Sequence, residues 1–205
     1  LKRLCFALLC FTVIFASAQD TEDSKSLYVK GNAVLLPVGV LNVGAEYQLH
    51  NKFTLQADAL VSPWKSFSGH QAQLYMLGMD GRYYFDRAFR RWYVGLNISA
   101  LRFIAQKPNY WGEGPYQLTP DSPIYNKSDL YQDGYAVLIG AVAGYQFQLS
   151  EKWNIDLFVA GGNAQSLYRG YHEELGIRYD ELTGWNRSGE WIPYRGGVMI
   201  SYKLR

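Results

Sequence analysis

Cysteine, histidine, charge and long apolar runs are all scarce in this sequence. Of its 205 residues two are cysteine, Cys5 and Cys10, and both fall within positions 1–18. A chain without cysteine beyond that point cannot be held by a disulfide framework and must rest on a core or a membrane. The three histidines, His50, His70 and His172, lie far apart, and no His-Glu-x-x-His occurs. That spacing excludes the usual zinc patterns, so no metal or cofactor is expected. Charged residues make up 19% of the chain and the formal net charge is +2, which gives no argument for nucleic acid. Aromatics at 16% are too many for a disordered chain.

Residues 1–18 read as a signal peptide. Lys2 and Arg3 form a basic end, Leu4 to Phe15 is apolar, and Ala16-Ser17-Ala18 is a small-residue cleavage pattern before Gln19. The run is short of the ~20 residues that a membrane helix needs. No later run is long enough either, so only alternating strands could carry residues 19–205 through a membrane.

Alternation is what those residues supply. Leu41, Val43, Ala45, Tyr47 and Leu49 are apolar, and Asn42, Gly44, Glu46 and Gln48 lie between them. After His50-Asn51-Lys52 the pattern resumes with Phe53, Leu55, Ala57, Ala59 and Val61 against Thr54, Gln56 and Asp58. Strict period two over two limbs joined by a few polar residues predicts a hairpin with one apolar face. Each limb has about the ~9–11 residues of a tilted membrane strand. The same reading places strand one over Leu27–Leu35, strand four over Gln71–Phe85 and strand five from Arg91. Strand six covers Gly134–Leu149, strand seven starts at Trp153, and strand eight ends the chain with Val198, Ile200, Tyr202 and Leu204 on its apolar face. Ser62–His70, Gln106–Asp133 and Ala164–Glu190 are expected to be loops.

Eight strands, short turns at one end, longer loops at the other and aromatics beside the short turns predict an eight-stranded antiparallel transmembrane up-and-down β-barrel of the outer-membrane type. The expected girdle is Tyr47, Phe53, Phe85, Trp92, Phe147 and Trp153. Trp64, Tyr110, Trp111, Tyr116, Tyr171 and Trp185 are the candidate loop contacts for an extracellular or cell-surface ligand.

Several short stretches resemble a Bacteroidetes family of small outer-membrane β-barrels, domain-of-unknown-function 3575. They are Asn42-Val43-Gly44-Ala45-Glu46-Tyr47, Ser62-Pro63-Trp64, Asp80-Gly81-Arg82-Tyr83-Tyr84-Phe85 and Gly144-Tyr145-Gln146-Phe147 leading to Lys152-Trp153-Asn154-Ile155-Asp156. The chain departs from the family pattern at Met79-Asp80, where Pro-Glu is expected, and at Asp156, where Glu is expected. The resemblance implies an outer-membrane location and no known activity.

The polar faces carry the other signal. Lys30, Glu46, Asp58, Asp80, Arg82 and Asp156, with Arg195 and Lys203, project to the side away from the apolar face. An eight-stranded barrel is just wide enough for side chains to fill, and charges inside must pair. The expectation is a plug of ion pairs in the first six, with Arg82 as hub because its fork serves two carboxylates. An apolar lumen of the lipocalin kind is not expected. Two functions stay open. One is a monomeric, non-enzymatic barrel with a structural or surface-binding role, touching outer-membrane lipids and lipopolysaccharide. The other is a barrel enzyme acting on lipid or lipopolysaccharide, which would need a Ser, a His and a carboxylate to converge, as Ser68 with His70 or Ser166 with His172.

Overall fold

The computed structural model describes residues 25–180 and 184–205. The proposed signal peptide, with Lys2, Arg3, Cys5 and Cys10, lies outside them. The strands are β1 (Leu27–Asn32), β2 (Leu41–His50), β3 (Phe53–Phe67), β4 (His70–Tyr84), β5 (Arg91–Ala105), a small hairpin of β6 (Pro115–Tyr116) and β7 (Tyr125–Asn126), β8 (Leu130–Gln148), β9 (Trp153–His172) and β10 (Asn186–Lys203). All but β6 and β7 form a closed antiparallel ring in the order β1-β10-β9-β8-β5-β4-β3-β2. The protein is therefore all-β, an eight-stranded up-and-down barrel. Ring partners from Val29 run through Ala45, Ala57, Met79, Ile98, Ile139 and Asn163 to Trp191, yet Val29's own neighbour on β10 is Tyr202. That climb along the strands is the stagger that tilts them and closes the barrel.

Period two decides which side faces out. Val43, Leu55, Leu77, Leu96, Ile139, Val159 and Ile200 are exposed, while the residues between them are buried. The exterior is thus a continuous apolar wall, and the polar side of every hairpin is the inside.

Three connections differ from the sequence reading. Ser62–His70 is not a loop: β3 runs to Phe67 and turns at Ser68-Gly69, both with positive φ (52° and 83°), into β4. Of Ala164–Glu190, only 173–185 remains a connection, because β9 continues to His172 and β10 begins at Asn186. Gln106–Asp133 shrinks to 106–129 and holds its own hairpin, β6 with β7. The cause is common to all three. Beyond the apolar wall the outer face no longer demands apolar residues, so alternation fades while backbone pairing goes on. Strand one errs the other way. It stops at Asn32, whose side-chain oxygen accepts the Val34 N–H at 3.2 Å, and Leu36–Val38 forms a single 3-10 turn closed by Gly39 at φ 72°. An Asx turn followed by proline and a left-handed glycine ends a strand whatever the apolar pattern says.

Candidate functional site

The inside of the barrel is layered. The short-turn end is closed by aromatics. Tyr28 packs on Phe89 at 4.4 Å between ring centroids, and Tyr84 packs on Tyr93 at 5.0 Å. Phe89 sits at φ 64° in the turn between β4 and β5, and this tucks its ring into the barrel mouth. Asn154 donates to the Phe89 carbonyl at 3.2 Å and holds it there. In the sequence, 86–90 is a short charged stretch between strands four and five. Only the lone Phe89 among its charges hints at a lid.

Above that lid lies the charge layer. Arg82 sits on β4 and reaches three acids: Asp80 at 2.9 Å, Asp156 on β9 at 2.9 Å and Glu46 on β2 at 3.3 Å. Lys30 on β1 pairs with Glu46 and, at 2.8 Å, with Asp156. Arg195 on β10 pairs with both Asp58 and Asp80. The six residues expected from sequence are thus brought together, with Arg82 at the centre and Arg195 as a seventh member. Lys203, half-buried at the chain's end, joins no ion pair among the described residues. Neutral donors complete the coordination. Thr54 and Tyr84 donate to Glu46 at 2.5 and 2.7 Å, Tyr93 donates to Asp156 at 2.8 Å, and Asn97 donates to Asp80 at 2.5 Å. Gln146 donates to Glu46 and to the Tyr84 hydroxyl. Four acids against three bases leave the layer one negative charge over, spread among these donors.

Backbone details make the layer possible. Between Pro193 and Arg195 the register with β9 slips by one residue, so Tyr194 and Arg195 both enter the lumen. A bulge of this kind re-aims side chains that alternation would separate. Tyr194 then donates to Asn97 at 2.8 Å while Arg195 reaches the acids. At Gly78 a Cβ would strike the Arg195 guanidinium, and at Gly144 it would strike the Tyr93 hydroxyl. These two glycines are space for neighbouring side chains.

The next layer changes character. Met76, Phe103, Ala136, Leu138 and Ala164 form an apolar interior, flanked by Leu60, Leu74, Leu101, Ala105, Tyr168 and Tyr194. The expectation that the lumen is not apolar therefore fails in its upper half. It rested on charges clustered in the lower parts of the strands, and upper inward positions such as Leu60 and Leu74 were assigned to no layer.

The girdle residues Tyr47, Phe53, Phe85, Trp92, Phe147 and Trp153 all face outward at the short-turn end. Tyr83, Tyr145 and Tyr202 join them: Phe53 meets Tyr83 at 5.1 Å, Trp92 meets Tyr145 at 5.0 Å and Trp153 meets Tyr202 at 4.8 Å.

The loop candidates separate. Tyr110 is buried with Leu130 and Tyr179, and Tyr116 packs edge-on against Tyr110 and Tyr179. These are the core of a loop cap. Burial and the neighbouring Tyr110 push the Tyr116 phenol up to about 12. The cap is tied by Gln106, which donates to the Tyr110, Lys127 and Ser128 carbonyls. Trp64 donates to the Val38 carbonyl at 2.9 Å and lies over Gly39. Tyr171 stacks on Tyr131 at 5.6 Å. Trp111, stacked on His70 at 5.0 Å, and Trp185, under the Arg169 guanidinium at 4.5 Å, keep much of their surface exposed. His70 and His172 are otherwise engaged. His70 meets Gln106 at 2.7 Å, and His172 accepts the Leu175 N–H and lies 3.9 Å from Asp129. Neither is hydrogen-bonded to Ser68 or Ser166 among the described residues.

An apolar-walled, eight-stranded antiparallel ring with a charged interior and an aromatic girdle defines an outer-membrane-type β-barrel. The chain belongs to the family described as protein of unknown function (DUF3575), whose model matches residues 4–204. Among solved structures it is similar to the solution structure of the E. coli Outer Membrane Protein W. Identity is 10%, the TM-score is 0.45, and the match covers 90% of this chain and 100% of that one. No curated protein matches the chain. The fold assignment stands on the strand pairing itself.

Proposed function

We propose that the chain is exported through residues 1–18 and resides in the outer membrane as a monomeric, non-enzymatic barrel. Its lower lumen is sealed, and its loop cap faces the cell exterior. The observation that carries this reading is the pairing of an apolar exterior with seven acidic and basic side chains in contact inside. Such charges are tolerated in a membrane protein when they face inward and pair. The aromatic girdle sits where a membrane interface favours Tyr and Trp.

The sealed layer makes a general pore function unfit for this barrel. A diffusion channel needs water through its length, whereas here ion pairs and the Tyr28–Phe89 lid fill the cross-section. The surface-binding part of the role falls to the exposed Trp111 and Trp185, beside outer-membrane lipid and lipopolysaccharide. An enzymatic role on lipid would need His70 or His172 free to serve a serine, and both are engaged elsewhere. Membrane fractionation with heat-modifiable gel migration tests the location. Recovery in the soluble fraction with unchanged migration on boiling would refute it.

A further inference from the structure

We propose that the outer wall carries a docking site for lipopolysaccharide, in which Arg102 and Arg169 hold a phosphate and the acyl chains lie in an apolar hollow below them. The inference rests on the membrane-barrel reading above and gives its lipid contact at Trp185 a place and a ligand class.

The hollow comes from small residues in the wall. Ala59 on β3, Leu77 on β4, Ala100 on β5 and Val137 on β8 pair in one row across the strands. Period two turns all four outward, and Leu77 is 68% exposed. The methyl groups of Ala59 and Ala100 stand among larger side chains, so the wall dips between them. The dip is a concavity of about 470 Å³, open to the outside and almost wholly apolar. It reaches from β3 to β9, five strands across. An apolar surface of that width takes several acyl chains side by side.

Its upper margin is cationic. The next outward row carries Tyr75, Arg102, Tyr135 and, on β10, Arg187. One outward row higher, Arg169 on β9 stands opposite Asp133. Arg102 lies over the Tyr135 ring at 4.9 Å, Tyr135 meets Trp185 at 6.1 Å, and Arg169 lies over Trp185 at 4.5 Å. Two guanidinium groups and two aromatic faces thus make one surface at the head of the hollow. The other cation–π pairs among the described residues, at Tyr93, Tyr168 and Phe158, are inside the barrel. The lower girdle has aromatics without cations over them. An interface belt alone would not place this combination on the one side of the wall that is hollow.

These guanidinium groups have donors to spare. Arg102 uses only Nη1, which meets Asp133 at 2.6 Å and donates to the Phe103 and Gly134 carbonyls. Arg169 and Arg187 join no ion pair among the described residues, and the Arg169 Nε is buried without an acceptor. A buried donor left in that state calls for a partner. Three arginines against Asp133 leave the patch positive, and a phosphate matches the guanidinium fork. Tyr135 and Trp185, both more than a third exposed, offer flat faces beside that phosphate for a sugar ring. A glycerophospholipid brings a phosphate and two chains but no such ring. Ring, phosphate and several chains together are the chemistry of the lipid A part of lipopolysaccharide. The patch also lies at the loop end of the wall, the end that the proposed function turns to the cell exterior.

The test uses the full chain refolded in detergent micelles, with folding checked by heat-modifiable migration, and native mass spectrometry with purified lipid A as probe. We expect a saturable one-to-one adduct. Lipid A stripped of its phosphates, and phosphatidylglycerol, should each bind about tenfold more weakly or worse, the first having lost its charge-assisted hydrogen bonds and the second lacking the sugar. The double variant Arg102→Gln, Arg169→Gln should lose about as much, and so should Ala100→Leu, which fills the hollow. Lys65→Gln, which removes an exposed charge at the same end on β3, should leave binding unchanged. The stripped lipid needs no variant, so a variant that misfolds does not remove the test. Equal binding of stripped lipid A or of phosphatidylglycerol, full binding by a folded double variant, or no adduct with the folded wild type would overturn the site and leave the membrane reading intact. A chain that stays soluble without detergent and migrates unchanged on boiling would refute the membrane reading instead.

Discussion

Replacing Arg82 by Ala removes the centre of the charge layer. Arg82 is buried, and its guanidinium contacts Asp80, Glu46 and Asp156. Without it, four acids face two bases, Lys30 and Arg195. Asp80 keeps Arg195 and Asn97, and Asp156 keeps Lys30 and Tyr93, so no acid is stripped of every partner. Breaking a buried pair typically destabilises by ~3–5 kcal/mol, a change of roughly a hundred- to five-thousandfold in the folding equilibrium. The surviving donors place the loss toward the lower end, about 3 kcal/mol. The assay is urea unfolding in lipid vesicles, followed by tryptophan emission. The double variant Arg82→Ala, Glu46→Gln returns the layer to its original excess of one negative charge and should recover part of the loss. If Arg82→Ala unfolds within about 1 kcal/mol of wild type, or if the double variant is worse by the full sum of two single losses, the ion-pair account of the lumen is wrong.

Other outcomes follow from the same geometry. Val159→Arg, on the outer wall, should destabilise by ~2–4 kcal/mol if it lies near the bilayer midplane, whereas Gln48→Ala, half-buried at the short-turn end, should stay within about 0.5 kcal/mol in the same assay. Gly78→Ala drives a methyl group into the Arg195 guanidinium and should cost about 1–3 kcal/mol by unfolding midpoint. Burial opposes ionisation of Asp180, but hydrogen bonds from Arg178 and the Gly170 N–H outweigh it and hold the carboxyl below the usual carboxylate range. Its contribution is then present above about pH 4 and lost as pH falls through the lowered value, so protease cleavage within 173–185 should quicken in acid, and not in Asp180→Asn. Protease added to intact cells should cut in 106–129 or 173–185, and not at Asn51 or Lys52.

Strand number, facing and the charge layer were legible because period two is enforced wherever an apolar wall meets a lumen. Val43, Leu55 and Val159 outward, and Glu46, Arg82 and Asp156 inward, needed no more than alternation and depth. Strand ends were not legible. Above the wall both faces meet water, so β3, β9 and β10 carry on pairing without the pattern that announces a strand. The Pro193–Arg195 bulge was hidden for the reverse reason: it breaks the period at one residue, and from sequence alone Tyr194 belongs on the outer face. Phe89 was missed because a single aromatic in a charged turn looks like surface. The apolar upper lumen was missed because Leu60 follows, and Leu74 and Met76 precede, strand segments whose inward side is polar, and that polarity was extended to the whole strand.

Conductance of the purified protein in planar lipid bilayers tests the central claim most directly. The account predicts insertion without steady current for wild type, because the Arg82 and Arg195 ion pairs and the Tyr28–Phe89 lid fill the lower lumen. A stable, large channel in the wild-type protein would contradict it and make the same charges the lining of a pathway.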